Sequence, residues 1–492
     1  MAIKRKNVIL LHLESVSRST LWQYRCELGT VWRLMSSSRQ FNRFFTSSTS
    51  TEMSIADLMY GDAGIKDANP VFRLARRGFT LADVGGHLNE LVRDNGYRYL
   101  HLGSSPYSPR LNSVNDTMVA INEPNVPTLC EKALAHFVES KNRGVPFFAY
   151  FWDDSSHLAY VSPFKEKAPG VPERLRTAYA LIDASLNRLL SGLSQAGLWD
   201  DTIIVGFGDH GDEAWTHDLN RGYCHSIVPY SSITWTPMFI YDPERWSGGI
   251  DSRLVSMVDL KQTVLSMLCP DVPPLPRRPY GGIDIFKEKR DFAFSQNMFA
   301  LQREYSDPEQ GMVKGYAVTD GDYRLLVSSG GCNPEAAGGM ALYCDQVDPS
   351  NSLNLLKFFR LDREGGIRRF VPPPDATAKH FSYTFSPPRV ESLIAAYNRL
   401  RPRLQAFIKE KEAAALDEYE KIQTLSVDEL LDCWREKVMA LSGKEIDNSR
   451  EYRQRLKAAL HIELTKQEFM QQKEYQLFPQ KMFTQVRQDR IL

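Results

Sequence analysis

Two short apolar runs in this chain end in groups that bind cations. NVILLHLE, residues 7–14, closes on Glu14, and TIIVGFGDHGD, residues 202–212, runs into Asp209 and His210. A carboxylate at the C-terminal end of a buried strand lies where ligands bind in open α/β sheets. Glu, Asp and His together offer oxygen and nitrogen donors suited to Mn²⁺, Zn²⁺ or a similar divalent ion. Taken singly, each reads as a polar residue closing a strand. A DHGD directly after an apolar strand, with a second strand ending in Glu, favours a metal site.

A third segment could supply a nucleophile. FFTSSTSTEMSIADLMYGD, residues 44–62, places seven Ser/Thr residues between Thr46 and Ser54. A hydroxyl is a weak nucleophile unless a metal or a base lowers its pKa. At a helix N-terminus it would also gain from backbone N–H groups facing an anion. Ser50 or Thr51 fits the N-cap of a helix through Ile55, Ala56, Leu58 and Met59; a plain capping loop accounts for the run equally simply. His12, two residues before Glu14, reads as a core histidine. His217, seven residues past His210, reads either as a substrate contact, as a second-metal ligand or as a loop residue with no role. Arg18 and Arg221 carry planar donors that suit a phosphoryl oxygen, or are ordinary surface arginines. His87, His101, His136, His380 and His461 have no motif context.

The elements that must position these groups follow from periodicity. Asn7–Leu13, Tyr97–Leu102, Phe147–Trp152 and Thr202–Phe207 are short, apolar and rich in β-branched or aromatic residues, as strands are. Thr177–Gly197 places Leu181, Leu186, Leu189, Leu190 and Leu193 near helical spacing. This alternation predicts a mostly parallel sheet covered by helices on both faces. The proline-dense Cys269–Gly282 reads as a linker. Shorter strands with turn signals follow, such as TDGDYRLLV from Thr319, and Pro372–Pro374 marks a second break. From about Val390 the chain is charged and helical in pattern. The expected organisation is an α/β catalytic domain over 1–290, a smaller α+β subdomain over 291–389 and a helical extension over 390–492. Leu393, Tyr397, Leu400 and Leu404 recur near helical spacing, so that extension must bury a face, either on its own chain or in a homo-oligomer.

The chain has 492 residues, 42% hydrophobic and 24% charged, with 60 basic against 60 acidic residues. That balance argues against a nucleic-acid partner, which calls for an excess of Lys and Arg. The run from Val8 to Leu13 is too short for a signal-peptide core, and no stretch of about 18 apolar residues predicts a transmembrane helix. Seven widely spread cysteines fit reduced thiols, and with them a cytoplasmic location.

The ordered set of segments resembles the alkaline phosphatase/sulfatase superfamily, in its sulfatase-like branch. NVILLHLES resembles the opening strand, whose acidic residue is a metal ligand. TEMSIADLMYGD resembles the nucleophile segment, commonly T-x-P-S-x-A-S-L-L-T-G; Thr51 falls on the nucleophile and Gly61 on the closing glycine. PFFAYFWDDSSHLAY resembles the strand leading to a substrate-contacting histidine, here His157. DDTIIVGFGDHGD resembles the second metal motif, and GYCHSIVPYSSITWTPMFIY the later histidine segment, which puts His225 at the active site. With LADVGGHLNELVRDNGYRYLHLG, VSMVDLKQTVLSML and ALYCDQVDPSNSLNLL, the match runs in order over residues 6 to 356.

The resemblance implies a divalent ion, Mn or Zn with Mg as a further option, bound by Glu14, Thr51, Asp209 and His210. It implies catalytic roles for Thr51, His157 and His225, and a substrate site including His157, His217, Arg221 and His225. Departures narrow the chemistry. Sulfatases carry Cys or Ser in C/S-x-P-x-R, oxidised to formylglycine; Thr51 cannot become that aldehyde, and Met53 replaces the usual proline. Many sulfatases open with paired aspartates, where this chain has Glu14-Ser15. The Glu, Thr and Asp-His set instead is similar to lipoteichoic acid synthases and phosphoethanolamine transferases. The expected activity is a phospho-group transferase or phosphoesterase working through a covalent threonine, on a small-molecule, sugar or glycan phosphoester. The alternatives are a sulfatase acting without formylglycine and a non-catalytic assembly protein of the same fold.

Overall fold

The computed structural model describes residues 5–62, 86–104, 118–157, 171–214, 223–225, 228–275, 277–297, 314–329, 339–362, 366–371 and 387–423. Its main sheet is built from β1 (Asn7–Leu13), β2 (Arg39–Phe45), β3 (Arg98–Gly103), β4 (Val119–Asn122), β5 (Phe147–Asp153) and β6 (Thr202–Gly208). After a short pair, β7 (Glu213–Ala214) and β8 (Tyr223–Cys224), the sheet is completed by β9 (Met238–Tyr241) and β10 (Ile250–Ser256). The order across it is β10-β2-β9-β6-β1-β5-β3-β4. Only β9 runs antiparallel, to both β2 and β6; the other neighbours are parallel.

Strand β1 sits centrally, with Leu10 opposite Tyr150 on one side and Val205 on the other. Its near-continuous apolar run is what a strand covered on both faces requires. Side chains alternate across the sheet. Ile9, Leu11 and Leu13 pack on one face with Val31 and Leu34 of α2 (Gly29–Ser36), which follows α1 (Arg18–Gln23). Val8 and Leu10 face the other way, against Ile55, Leu58 and Met59 of α3 (Thr51–Tyr60) and Leu88 and Val92 of α4 (Leu88–Asp94). The first face is completed by α5 (Val126–Asn142) and α6 (Val171–Gln195). After α7 (Ser231–Thr234), α8 (Asp259–Leu268) completes the second.

A separate antiparallel sheet runs β11 (Ala293–Asn297), β12 (Lys314–Thr319), β13 (Tyr323–Ser329), β14 (Gly339–Cys344). The turn between Thr319 and Tyr323 falls on the turn signals at TDGDY. Helix α9 (Pro387–Gln423) lays Leu393, Tyr397, Leu400, Leu404 and Phe407 on Tyr316, Val318, Leu325 and Val327 of this sheet. The apolar stripe of the extension is thus covered within the chain over this stretch; residues 424–492 lie outside the described set. The proline-dense segment does more than link: Gly282 N–H donates to the Gly61 carbonyl at the end of α3, and Gly281 bridges Asp62. No helix among the described residues is long and apolar enough to cross a membrane, and the described cysteines Cys26, Cys130, Cys269 and Cys344 are free thiols.

Candidate active site

Three chain segments meet at the C-terminal edge of the central strands. Glu14 directly follows β1, Asp209 and His210 directly follow β6, and Thr51 is the first residue of α3. Ser50 occupies the N-cap position in extended conformation, so Thr51 stands at a helix N-terminus, and the helix ends on left-handed Gly61 at φ 72°. Register brings the two strand ends together: Leu13 pairs with Gly208, the residue before Asp209. The glycines of GFGDHGD permit the approach. A Cβ on Gly208 would meet the Val16 carbonyl at 2.4 Å, and one on Gly211 the Ser17 Cβ at 2.4 Å.

The resulting contacts are short. Thr51 Oγ1 lies 3.0 Å from His210 Nε2 and 3.4 Å from Glu14 Oε1. His210 Nε2 lies 3.3 Å from Asp209 Oδ2 and 3.9 Å from Glu14 Oε1. Ser15, at φ 56°, holds both carboxylates: its N–H donates to Asp209 Oδ1 at 3.0 Å and its hydroxyl to Glu14 Oε1 at 2.9 Å. A non-glycine residue in that region costs energy, which persists where the surroundings over-determine it. Trp152 Nε1–H donates to Glu14 Oε2 at 2.8 Å.

His225 and His157 belong to the same cluster. The His225 ring is 4.3 Å from His210 and 5.2 Å from His157, centroid to centroid. Asp212 lies 2.8 Å from His225 Nδ1 and accepts its N–H. The structure therefore brings Glu14, Thr51, His157, Asp209, His210 and His225 together. His217 and Arg221 lie outside the described residues. Arg18 is engaged elsewhere, donating to the Asn42 carbonyl and stacking over Trp235 at 4.9 Å.

Sequence reasoning missed three contributors. His12 was expected in the core; it is buried, but its Nε2 lies 3.2 Å from Asp209 Oδ2 and 3.6 Å from Glu14 Oε2. Strand parity carried the signal, since His12 shares the face of Val8 and Leu10. Asp212 and Trp152 stood inside quoted motifs without an assigned part.

The electrostatics call for a cation. Burial, then Asp209, push Glu14 well above the usual carboxylate range. Burial acts on Asp209 too, but His210 and His12 outweigh it and hold that carboxyl below its ordinary value. Burial lowers His210 to about 4, against the pull of Asp209, and burial with His157 lowers His225 to about 3. Two groups of donors, His12–Glu14–Asp209 and His210–Asp212–His225, each gather within 4.8 Å. With ligands ~2.0–2.2 Å from an ion, neighbouring donors around a tetrahedron lie roughly 3.3–3.6 Å apart, close to the spacings among Glu14, Thr51, Asp209 and His210. These residues fit a divalent metal ion.

Comparison with known proteins places the chain in a family. The sulfatase family model matches residues 6–269. Human arylsulfatase A is 24% identical over 251 residues, covering 46% of this chain and 47% of that protein. The multifunctional alkaline phosphatase superfamily protein PehA of Trinickia caryophylli is 23% identical over 198 residues, 37% of this chain and 36% of its own. The chain thus spans about half or less of the length of these curated relatives. Among solved structures, the phosphonate monoester hydrolase of Agrobacterium radiobacter superposes with a TM-score of 0.51 at 14% identity, covering 80% of this chain and 96% of that one. BT4656, solved with its substrate D-glucosamine-2-N,6-O-disulfate, gives 0.54 at 12% identity, covering 83% and 99%. Fold, motif order and family match converge, and this chain belongs to the sulfatase family of the alkaline phosphatase superfamily.

Proposed function

We propose that this protein is a metal-dependent phospho-group transferase or phosphoesterase that works through a covalent intermediate on Thr51. The observation that carries this reading is the placement of the Thr51 hydroxyl at a helix N-terminus, 3.0 Å from His210 and 3.4 Å from Glu14. Threonine cannot give formylglycine, so the usual sulfatase nucleophile is missing at this position. A divalent ion, Mn or Zn with Mg as a further option, held by Glu14, Thr51, Asp209 and His210, would supply the positive charge that lowers the hydroxyl's pKa.

The chain's own groups then divide the work. Thr51 releases its proton to solvent, and its Oγ bonds to phosphorus while the bond to the leaving oxygen breaks. His157 and His225 bind the equatorial oxygens or hand the leaving oxygen its proton. Asp212 fixes the His225 ring through Nδ1. An acceptor hydroxyl or water next bonds to phosphorus, gives up its proton, and returns Thr51 to its hydroxyl form. The free N–H groups of the first turn of α3 favour the anion throughout. A substrate in the class of small-molecule, sugar or glycan phosphoesters fits this set, with Arg221 and His217 as further contacts. Cytoplasmic action accords with the free thiols.

Sulfate-ester hydrolysis is the second reading, favoured by the likeness to arylsulfatase A. Nitrophenyl phosphate, its diesters and nitrophenyl sulfate, compared under one set of conditions, separate the two. Phosphorus esters should turn over faster. Dominant sulfatase activity would overturn the phosphorus assignment.

A further inference from the structure

The His12 side chain is wholly buried, yet it is not packed as an inert core residue. Its ring is sandwiched between Trp152, 5.2 Å away at 16°, and Phe207, 5.5 Å away at 11°. The sandwich fixes the plane of the ring. Tyr150 Oη lies 2.7 Å from Nδ1 and fixes its rotation. What remains is Nε2, which meets no hydrogen-bond partner at acceptable geometry. Asp209 Oδ2 is in the same condition. Leaving an imidazole nitrogen and a carboxylate oxygen buried without partners is unfavourable, and native structures rarely do so without a functional reason.

The direction of Nε2 supplies that reason. It faces Asp209 Oδ2 at 3.2 Å and Glu14 Oε2 at 3.6 Å at once. An N–H there would find no bond of acceptable geometry, whereas a lone pair beside two carboxylate oxygens makes a ligand face. The Tyr150 hydroxyl is placed to accept from Nδ1. A ring that donates Nδ1–H to the phenol oxygen carries its lone pair on Nε2, the arrangement seen when histidine ligates a metal and its other nitrogen is held by a neighbour. The donor spacings resemble those between His210 Nε2 and Asp209 Oδ2, 3.3 Å, in a residue already assigned to the ion.

We infer that His12 is a further ligand of the divalent ion, coordinating through Nε2, with Tyr150 as the positioning residue that holds its tautomer. The inference rests on the metal-dependent reading of the site. Two imidazoles, from His12 and His210, would then bind the ion together with the Glu14–Asp209 carboxylate pair. Added nitrogen donors shift preference towards metals that accept imidazole, Zn among them, and away from Mg, which favours oxygen.

The test uses the full chain loaded with Mn²⁺ alone. Electron spin-echo modulation counts the imidazole nitrogens bound to the ion, and titration gives its affinity. The wild type should show two nitrogens. His12→Gln should show one and bind Mn²⁺ at least about 10-fold more weakly. His210→Ala should also show one, and His225→Ala should keep both. Tyr150→Phe should keep two nitrogens with weakened affinity. Should His12→Gln fail to fold, the wild-type count together with His210→Ala and His225→Ala still decides. One nitrogen in the wild type, lost in His210→Ala while His12→Gln binds normally, would overturn the inference: the metal reading would stand, and His12 would only hydrogen-bond Asp209. Absence of Mn²⁺ binding, or binding unchanged by both Glu14→Gln and His210→Ala, would remove the metal reading and the inference with it.

Discussion

At the scale of single residues, the site is a pair of buried carboxylates held by hydrogen bonds from Ser15 and Trp152. Glu14 takes hydrogen bonds from the Trp152 indole and the Ser15 hydroxyl, and Asp209 from the Ser15 backbone. Such outer contacts orient ligands and tune their affinity. Trp152→Phe keeps the ring against His12 but removes the indole N–H. It is expected to weaken Mn²⁺ binding about 10- to 100-fold, read by titration, with little change in secondary structure. The candidate ligands Glu14, Asp209 and His210 were legible because each follows an apolar run. His12 was not, because its meaning depends on a partner 197 positions away. The parallel register that sets Leu13 opposite Gly208 carries Asp209 to it, and that register is written in packing rather than in local sequence.

At the scale of elements, α3 is the part that must be placed accurately, since its first residue is Thr51. Its far end is held by Lys261 of α8. The fully buried Nζ donates to the Tyr60 carbonyl at 2.9 Å and the Gly86 carbonyl at 2.6 Å. Burial lowers this lysine to about 7, with Asp62 opposing. The unfolded chain therefore holds the proton more tightly than the folded one between about pH 7 and about pH 10. Unfolding free energy should rise with pH across that window and be flat with respect to this group below it. Denaturant titrations at several pH values check this, and Lys261→Met should lack the rise. Strands β1, β3, β5 and β6 were read from sequence to within a residue at each end because they are apolar on both faces. Strand β2 was not, because RQFNRFF mixes polar and apolar side chains with no period of two, and only Phe41, Phe44 and Phe45 are buried. The antiparallel β9 is four residues long, too short for a periodic signal.

At the scale of the whole molecule, the second sheet is tied to the first by a buried arginine whose ion-pair partner directly follows a strand of its own sheet. Arg324 of β13 is fully buried, 3.3 Å from Asp345 Oδ2 and 2.9 Å from Ser231 Oγ of α7, with its guanidinium 5.0 Å over Phe45 of β2. Arg324→Met would remove the cationic partner of buried Asp345, which keeps its bonds from Ser231 and Asn351. The expected loss is about 3–5 kcal/mol of unfolding free energy, measured by denaturant titration. The mostly parallel sheet under helices was legible from the alternation of strand and helix patterns. That α9 covers the second sheet was not, since a charged helix with one apolar stripe packs equally well on its own chain or on a second copy. The central claim concerns Thr51 and is tested most directly by intact-mass and peptide analysis of rapidly quenched reactions with nitrophenyl phosphodiesters. The account predicts a phospho-adduct mapping to Thr51, absent in Thr51→Ala, whose turnover should be abolished while its stability stays within about 1 kcal/mol of the wild type; Thr51→Ser should retain part of the activity. An adduct on Ser50 or another residue, or full turnover by Thr51→Ala, would contradict it.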